Sequence, residues 1–382
     1  MFSYLNQFRG AWQGFKAFKA IPPVKREVVV YNEGHGYWPH LERIVRHLWT
    51  DHNQAIAYLT SQKDDPVLHN PPPGVQAFWI GEGLIRTIAF ATMQARVVIM
   101  TMPDLEVLHI KRSSQVGHYV YIHHSIVSCH MVYQPAAFDH FDSVFCVGPH
   151  HEREIRAREK QLGLPAKRLL AHGYGRLDTL LEEVAVAPET LRTADQPARI
   201  LIAPSWGPAA LLERHGSKCV APLLAAGYRV TLRPHPQTRR FNAQKLDAIA
   251  AEFSAHPRFV LEENIATKRS LLEADLMISD WSGASLEFCF SRLKPVLSVD
   301  VPRKVNNPDY EKLGLEPLEV SVRDEIGAVV PETQLSHLAA HAASVLARLD
   351  DTQLAALRRR CVHNLGQSGA VAAAEIVRLL RA

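Results

Sequence analysis

Short runs of apolar, β-branched residues recur along the chain, each followed by a turn and then by apolar positions spaced three and four apart. "REVVVY" (26–31) is the first such run, "NEGHG" turns the chain, and "WPHLERIVRHLW" carries the spacing of an amphipathic helix. "QAIAYLT", "VQAFWI", "RVVIMTM", "HYVYIHH" and "SVFCVG" continue the series, and "LLAHGYGRLDTLLEEV" closes it. A second series starts at "RILIAP" (199–204) and runs through "YRVTLRP" (228–234), "RFVLEE" (258–263), "ADLMISD" (274–280) and "PVLSVD" (295–300). Strands alternating with helices predict parallel sheets covered on both faces. Between the series, "APETLRTADQPA" (187–198) is the most linker-like stretch. The pattern predicts an α/β protein with two Rossmann-like domains facing across a cleft, 26–190 and 191–382, the second carrying the C-terminal helices. The last helix is expected to pack back across both halves.

Ahead of the first strand, Phe2, Leu5, Phe8, Trp12, Phe15 and Phe18 recur at intervals of three and four, with Arg9 and Lys16 at the border of the stripe. Residues 1–25 are therefore predicted to form an amphipathic helix, ended by Pro22 and Pro23. Aromatic and basic residues without acids suit a lipid headgroup layer. A face docked on the protein's own core, or on a second copy, has the same spacing, and Gly10 and Gly14 weaken a free-standing helix.

The 382-residue length fits two domains of about 150–200 residues. The formal charge of +4 conceals an asymmetry: residues 1–26 carry five basic and no acidic side chains, so the remainder sums to −1. A body without a basic stripe gives little support to nucleic-acid binding. No stretch approaches the roughly 18 apolar residues of a membrane span, and the expectation is a cytoplasmic protein, peripheral on the inner face of the cell membrane. The five cysteines are scattered and never spaced as CxxC, so buried thiols are expected instead of disulfides or a zinc knuckle.

In open α/β sheets, ligands bind beyond the carboxyl ends of the strands, and the unusual residues concentrate there. "VTLRPHPQT" places Arg233 and His235 between prolines, which hold both residues out of helix and leave the loop little entropy to lose on binding. A guanidinium fork suits phosphate; the imidazole can donate a hydrogen bond, move a proton, or simply cap a loop. "SDWSGASLEF" offers Asp280, Ser282, Ser285 and Glu287 around a helix start that either binds a diphosphate or is plainly capped. "APSWGPA" adds Ser205 and Gly207 on the same edge. In the first half, "YIHHS" ends a strand in His123, His124 and Ser125, and "NEGHG" brings Glu33 and His35 toward the same edge, as acceptor contacts or as an ordinary turn. His124 is the better candidate base, and His123 the better candidate for a buried, hydrogen-bonded structural residue. HxH, HExxH and DxD patterns are absent, so no metal is assigned and a divalent ion is left without a ligand set.

In order and spacing, "IHHS" (122–125), "GYGRLD" (173–178), "APSWG" (203–207), "RPHP" (233–236) and "SDWSGASLE" (279–287) followed by "LKPVL" resemble the CDP-glycerol glycerophosphotransferase family of teichoic acid and capsule assembly, which has a GT-B architecture. The resemblance covers about residues 95–330. It implies an acceptor-binding first domain and a nucleotide-binding second one. It implies His124 as the base acting on the acceptor hydroxyl, and Arg233 and His235 as groups gripping the donor phosphates. Arg176 and Asp178 match the family's Gly-Tyr-Pro-Arg-Asn-Asp, although Gly175 and Leu177 depart from it. Gly283 replaces a serine, Glu287 stands where an aspartate is usual, and Ser125 replaces a glycine after the histidine. These departures bear on donor and acceptor identity more than on fold.

The implied reaction is attack by a hydroxyl of a lipid-linked or glycan acceptor on the β-phosphorus of a CDP-linked polyol, releasing CMP, with a membrane surface reached through the N-terminal helix. A GT-B glycosyltransferase or nucleotide-sugar epimerase would use the same loops, and a non-catalytic nucleotide-binding scaffold would consume no donor.

Overall fold

The computed structural model describes residues 2–107, 110–186, 196–264, 267–348 and 350–382, with the side chains of residues 2–5 and 35 outside the description. The predicted linker at 187–198 and the boundary at 190/191 fall almost wholly outside the described residues.

Seven strands form the first sheet: β1 (Val28–Asn32), β2 (Ile56–Thr60), β3 (Val75–Trp79), β4 (Ala95–Met100), β5 (Val116–Ile122), β6 (Ser143–Cys146) and β7 (Arg168–Ala171). Their order is β3-β2-β1-β4-β5-β6-β7, and every pair is parallel. The second sheet, also wholly parallel, has β8 (Arg199–Ile202), β9 (Arg229–Leu232), β10 (Phe259–Leu261), β11 (Leu276–Ser279), β12 (Val296–Asp300) and β13 (Gly327–Pro331) in the order β10-β9-β8-β11-β12-β13. Both orders reverse direction beside their first strand, at β1/β4 and at β8/β11. A crevice for a ligand opens at such a reversal, because the crossovers on its two sides leave for opposite faces of the sheet.

The chain divides into two compact units: 1–125 with 133–179 and 361–382, and 126–132 with 180–360. This corrects the sequence-based division twice. The C-terminal helix Ser368–Arg381 belongs to the first unit, where Ala372, Ala373, Ile376 and Leu380 share a core with Val28, Val30, Leu41, Ile44 and Leu48. Burial of each large aliphatic side chain contributes about 2 kcal/mol, which fixes the helix there. Gly369 permits the close crossing, since a Cβ on it would lie 2.8 Å from that of Arg43. The segment Ile126–Val132, between β5 and β6 in sequence, belongs to the second unit. Its Ser128 amide and hydroxyl donate to the Glu319 carboxylate at 2.7 and 2.8 Å, and Asn307 donates to the His130 carbonyl at 2.8 Å.

The N-terminal helix runs Phe2–Ala20. Of its stripe, Phe15 and Phe18 are buried in the first unit, Phe18 edge-on to Phe78 of β3, while Trp12 is half-buried, Phe8 is exposed, and Phe2 and Leu5 lie outside the described side chains. Of the two expected docking modes, packing on the protein's own core is the one these residues show. Among the described residues no helix is long and apolar enough to cross a membrane.

Candidate functional site

At the carboxyl edge of the first sheet, β5 hands the chain to His123 and His124, which point into different surroundings. His124 Nδ1 lies 3.0 Å from the Thr101 carbonyl, an acceptor only, so the proton sits on Nδ1 and is donated to Thr101. Nε2 therefore keeps its lone pair, and the Tyr133 hydroxyl donates to it at 3.3 Å. Tyr37 and Tyr133 stand edge-on to the ring at 5.1 and 5.6 Å. Burial pushes the His124 pKa down to about 4, partly opposed by the Thr101 carbonyl, so the ring is neutral at pH 7. A neutral imidazole with one ring nitrogen fixed and the other nearly free is arranged to take a proton.

His123 is fully buried, as expected, but not hydrogen-bonded: neither ring nitrogen has a partner among the described residues, and the ring stacks on His151 at 3.7 Å. Ser125 is half-buried, with no hydrogen bond to its hydroxyl among the described residues. Glu33 follows β1, and burial, with Asp104 and Glu82 nearby, pushes its carboxyl up to about 7 against the pull of Arg86. The His35 side chain lies outside the described residues. Arg176 is half-buried, and its charge acts on the His40 ring, which packs 5.3 Å from Tyr174.

Asp178 does not meet the expectation of an acceptor contact. Its carboxylate is buried and accepts from the Gly366 and Ser368 amides at 2.7 and 2.9 Å and from the Ser368 hydroxyl at 2.5 Å. It fastens the start of the C-terminal helix.

At the carboxyl edge of the second sheet, three loops meet. Asp280, after β11, accepts from the Ser205 amide at 2.6 Å and from the Leu211 amide at 2.9 Å, one on each carboxylate oxygen. It is a buried brace for the loop after β8 and not the expected donor ligand. In that loop Gly207 adopts φ +121°, a conformation that favours glycine, and a Cβ on it would meet nothing within 4 Å. Arg233, expected to grip phosphates, instead pairs with Glu262 and donates to the Thr267 carbonyl at 2.8 Å and to the Ser270 hydroxyl at 3.4 Å. Its guanidinium is committed to holding the loops after β9 and β10 together.

His235 caps the helix Pro236–Phe253: Nδ1 accepts from the Gln237 amide at 3.1 Å, so the ring proton is on Nε2. Burial, with the Lys304 charge beside it, pushes the His235 pKa down to about 4. The ring stacks 5.9 Å from Trp206, and Lys304 Nζ sits 4.7 Å over the same indole. Lys304 makes no ion pair among the described residues, and burial lowers its pKa against the pull of Asp280 and Glu213.

The helix that follows β11 runs Ala284–Arg292. Ser282 Oγ accepts from the Ala284 amide at 3.3 Å, while the Ser285 hydroxyl turns back to the Ser282 carbonyl at 2.7 Å. The Ser285 proton is thus held by the Ser282 carbonyl, and Glu287 is half-buried in the first turn. Lys304, Trp206, Tyr133 and His40 were not singled out from the sequence. Lys304 follows β12 by four residues, so the strand-end rule finds it once that loop is included; Tyr133 carries no sequence signal. Among the described residues no group of three His, Cys, Asp or Glu could hold a metal ion.

No protein-family model matches this chain, and no curated protein matches it in sequence. Solved structures do match in fold. The wall teichoic acid polymerase TagF, as a variant soaked with CDPG, aligns over 99% of this chain and 98% of its own at 13% identity and a TM-score of 0.60. The Methanocaldococcus jannaschii UDP-GlcNAc 2-epimerase, in complex with UDP-GlcNAc and UDP, aligns over 93% and 99% at 14% identity and a TM-score of 0.59. A putative UDP-N-acetylglucosamine 2-epimerase from Listeria monocytogenes aligns over 93% and 95% at 13% identity and a TM-score of 0.60. The likeness establishes a GT-B fold.

Proposed function

We propose that this protein is a transferase that moves a polyol phosphate from a CDP-linked donor to a hydroxyl of a lipid-linked or glycan acceptor, releasing CMP. The observation that carries the reading is the His124 imidazole, neutral at pH 7, with Nδ1–H donated to Thr101 and the Nε2 lone pair accepting, among the described residues, a long hydrogen bond from the Tyr133 phenol. In the reaction Nε2 takes the proton of the acceptor hydroxyl as that oxygen bonds the β-phosphorus, and the bond to the CMP oxygen breaks with its electron pair. A donor anion near the ring favours the protonated imidazole and raises its basicity when it is needed.

The second unit supplies charge stabilisation, which phosphoryl transfer needs more than covalent help. His235 Nε2–H and the Lys304 ammonium, which has no ion pair among the described residues, are its donors, with the backbone of Ser205 to Gly207 held in place by Asp280. Ser282 and Glu287 lie at the adjacent helix start, suited to the nucleotide. On the acceptor side stand Glu33 and Ser125. The exposed Phe8, Arg9, Lys16 and Lys19 of the N-terminal helix offer a basic, partly aromatic flank to an anionic membrane carrying lipid-linked acceptors.

The test is product analysis of the purified protein with CDP-glycerol, UDP-GlcNAc and a GDP-sugar. CMP release that falls at least about 10²-fold in His124→Ala, with unchanged thermal unfolding, is expected. UDP or GDP release would move the reading to a glycosyltransferase or epimerase, for which the carboxyl of Glu33, poised at about 7, is the available acid–base group. No consumption of any donor would leave a binding protein.

A further inference from the structure

The first unit contains a cavity of about 410 Å³ at the carboxyl ends of β2 and β3, apart from the His124 surroundings. The N-terminal helix forms one wall through Gln7, Phe8 and Ala11, and the loops leaving β2 and β3 form the other. Trp79 lies between them and is held firmly. Its Nε1 donates to the Ser61 carbonyl at 3.0 Å, and glycines bring the helix against it: a Cβ at Gly10 would lie 2.7 Å from the indole, and one at Gly14 2.0 Å from the Trp79 carbonyl oxygen. These glycines, unfavourable for a free helix, are what this contact requires.

Around the indole the cavity presents the amides of Gln7 and Gln62, one carboxylate, Glu82, and one ammonium, Lys63, whose Nζ is 5.9 Å from the ring centroid. The cavity borders the loop after β1, because Gly34 approaches Gln62 so closely that a Cβ would sit 2.7 Å from its Oε1. Glu82 acts electrostatically on Glu33, as does Asp104, with Arg86 as the opposing cation. A volume of this size lies within the range of about 300–1,000 Å³ typical of small-molecule sites.

A rigid aromatic surface ringed by amides and one carboxylate has the chemistry of a sugar site. An indole suits the C–H face of a pyranose, and sugar hydroxyls can both donate to a carboxylate and exchange hydrogen bonds with amides. Within the lining the Glu82 carboxylate offsets the Lys63 ammonium, so the cavity offers a phosphate no net positive charge. We propose that this cavity binds one or two uncharged sugar residues of the acceptor, so that transfer begins on a glycan terminus and not on a phosphate-bearing polymer end. The acceptor role rests on the transferase reading; the binding itself does not.

Saturation-transfer NMR on the full-length protein without donor, using N-acetylglucosamine, galactose and their 6-phosphates as probes, tests the binding. Signal on the ring protons of at least one neutral sugar is expected, with its 6-phosphate binding at least tenfold more weakly. Gln7→Trp, which fills the mouth from an exposed helix position, and Glu82→Ala should each weaken binding at least tenfold with unchanged thermal unfolding. Absence of neutral-sugar binding, equal binding of the phosphates, or indifference to both variants would overturn the proposal. Sugar binding as described with no CMP release from any donor would sink the transferase reading and support the cavity. CMP release onto phosphorylated but not neutral acceptors would do the reverse.

Discussion

The carboxyl edges of the two sheets are built from different chemistry. Beside β4 and β5 the polar groups are imidazoles and phenols: His40, His123, His124, Tyr37 and Tyr133, with rings 5–6 Å apart and few charges. Beside β8, β9 and β11 the loops are fixed by carboxylates, with Asp280 receiving two backbone amides and Glu262 receiving Arg233. A carboxylate whose oxygens are filled by amides supplies position and has nothing left to react. An imidazole with one nitrogen fixed and the other nearly free supplies a lone pair. His124, the proposed base, differs from these braces in its unspent hydrogen-bonding capacity, which the residue type alone does not give.

Acid should break the first unit before the second. The His124 and His172 pKa values are about 4 in the fold against 6.5 in an open chain, so the unfolded chain binds more protons between these values. Their stabilising contribution is whole above pH 6.5 and is lost as pH falls toward 4, roughly 3 kcal/mol for each. His40 and His123, also held low by burial, act in the same direction, while Glu33, raised to about 7, gains stability on protonation and offsets about one of them. In the second unit His235 shares the sign but is half-exposed. Glu332, held low by Arg214 and His215, keeps its contribution until pH falls below the ordinary carboxylate range. All five cysteines are buried thiols outside any disulfide. Pulsed methanethiosulfonate labelling between pH 7 and 4.5 should therefore modify Cys146 and Cys361 of the first unit well before Cys219 and Cys289 of the second; simultaneous labelling would contradict the comparison.

Asp280→Ala addresses the other side of the contrast. Two buried amides, at Ser205 and Leu211, lose their acceptor, at a cost of about 2–3 kcal/mol in urea unfolding of the second unit. The loop carrying Gly207 and Trp206 loosens, so donor affinity in a thermal-shift titration should fall as well. Near-normal stability with lost affinity would instead make Asp280 a ligand.

Much of this was legible in the chain. Eleven of the thirteen strands overlap the apolar runs read as strands, because a strand buried on both faces writes itself as a run of Val, Ile and Leu. The exceptions have reasons: β13 is a short "GAVVP" bounded by glycine and proline, and β7 merges into what reads as the closing segment of the first series. The amphipathic stripe of the C-terminal helix shows that it buries a face but not which core receives it. Of the candidate site, the strand ends and the place of His124 at one of them were legible from position. The commitments of Arg233, Asp178 and Asp280 were not, since their partners lie 29 to 190 residues away in sequence.

Arg233→Lys is the smallest and sharpest test of the difference. The guanidinium reaches Glu262, the Thr267 carbonyl and Ser270 together, whereas an ammonium is a point charge that cannot keep that arrangement. If Arg233 is a brace, the substitution lowers the stability of the second unit by about 1–2 kcal/mol and changes the Kd for CDP-glycerol less than threefold. If it is a phosphate ligand, the outcome inverts: stability holds, because a lysine elsewhere in the loop costs little, and affinity falls at least tenfold. Calorimetric unfolding and donor titration on one preparation separate the two, and the second result would return Arg233 to the donor site beside Lys304.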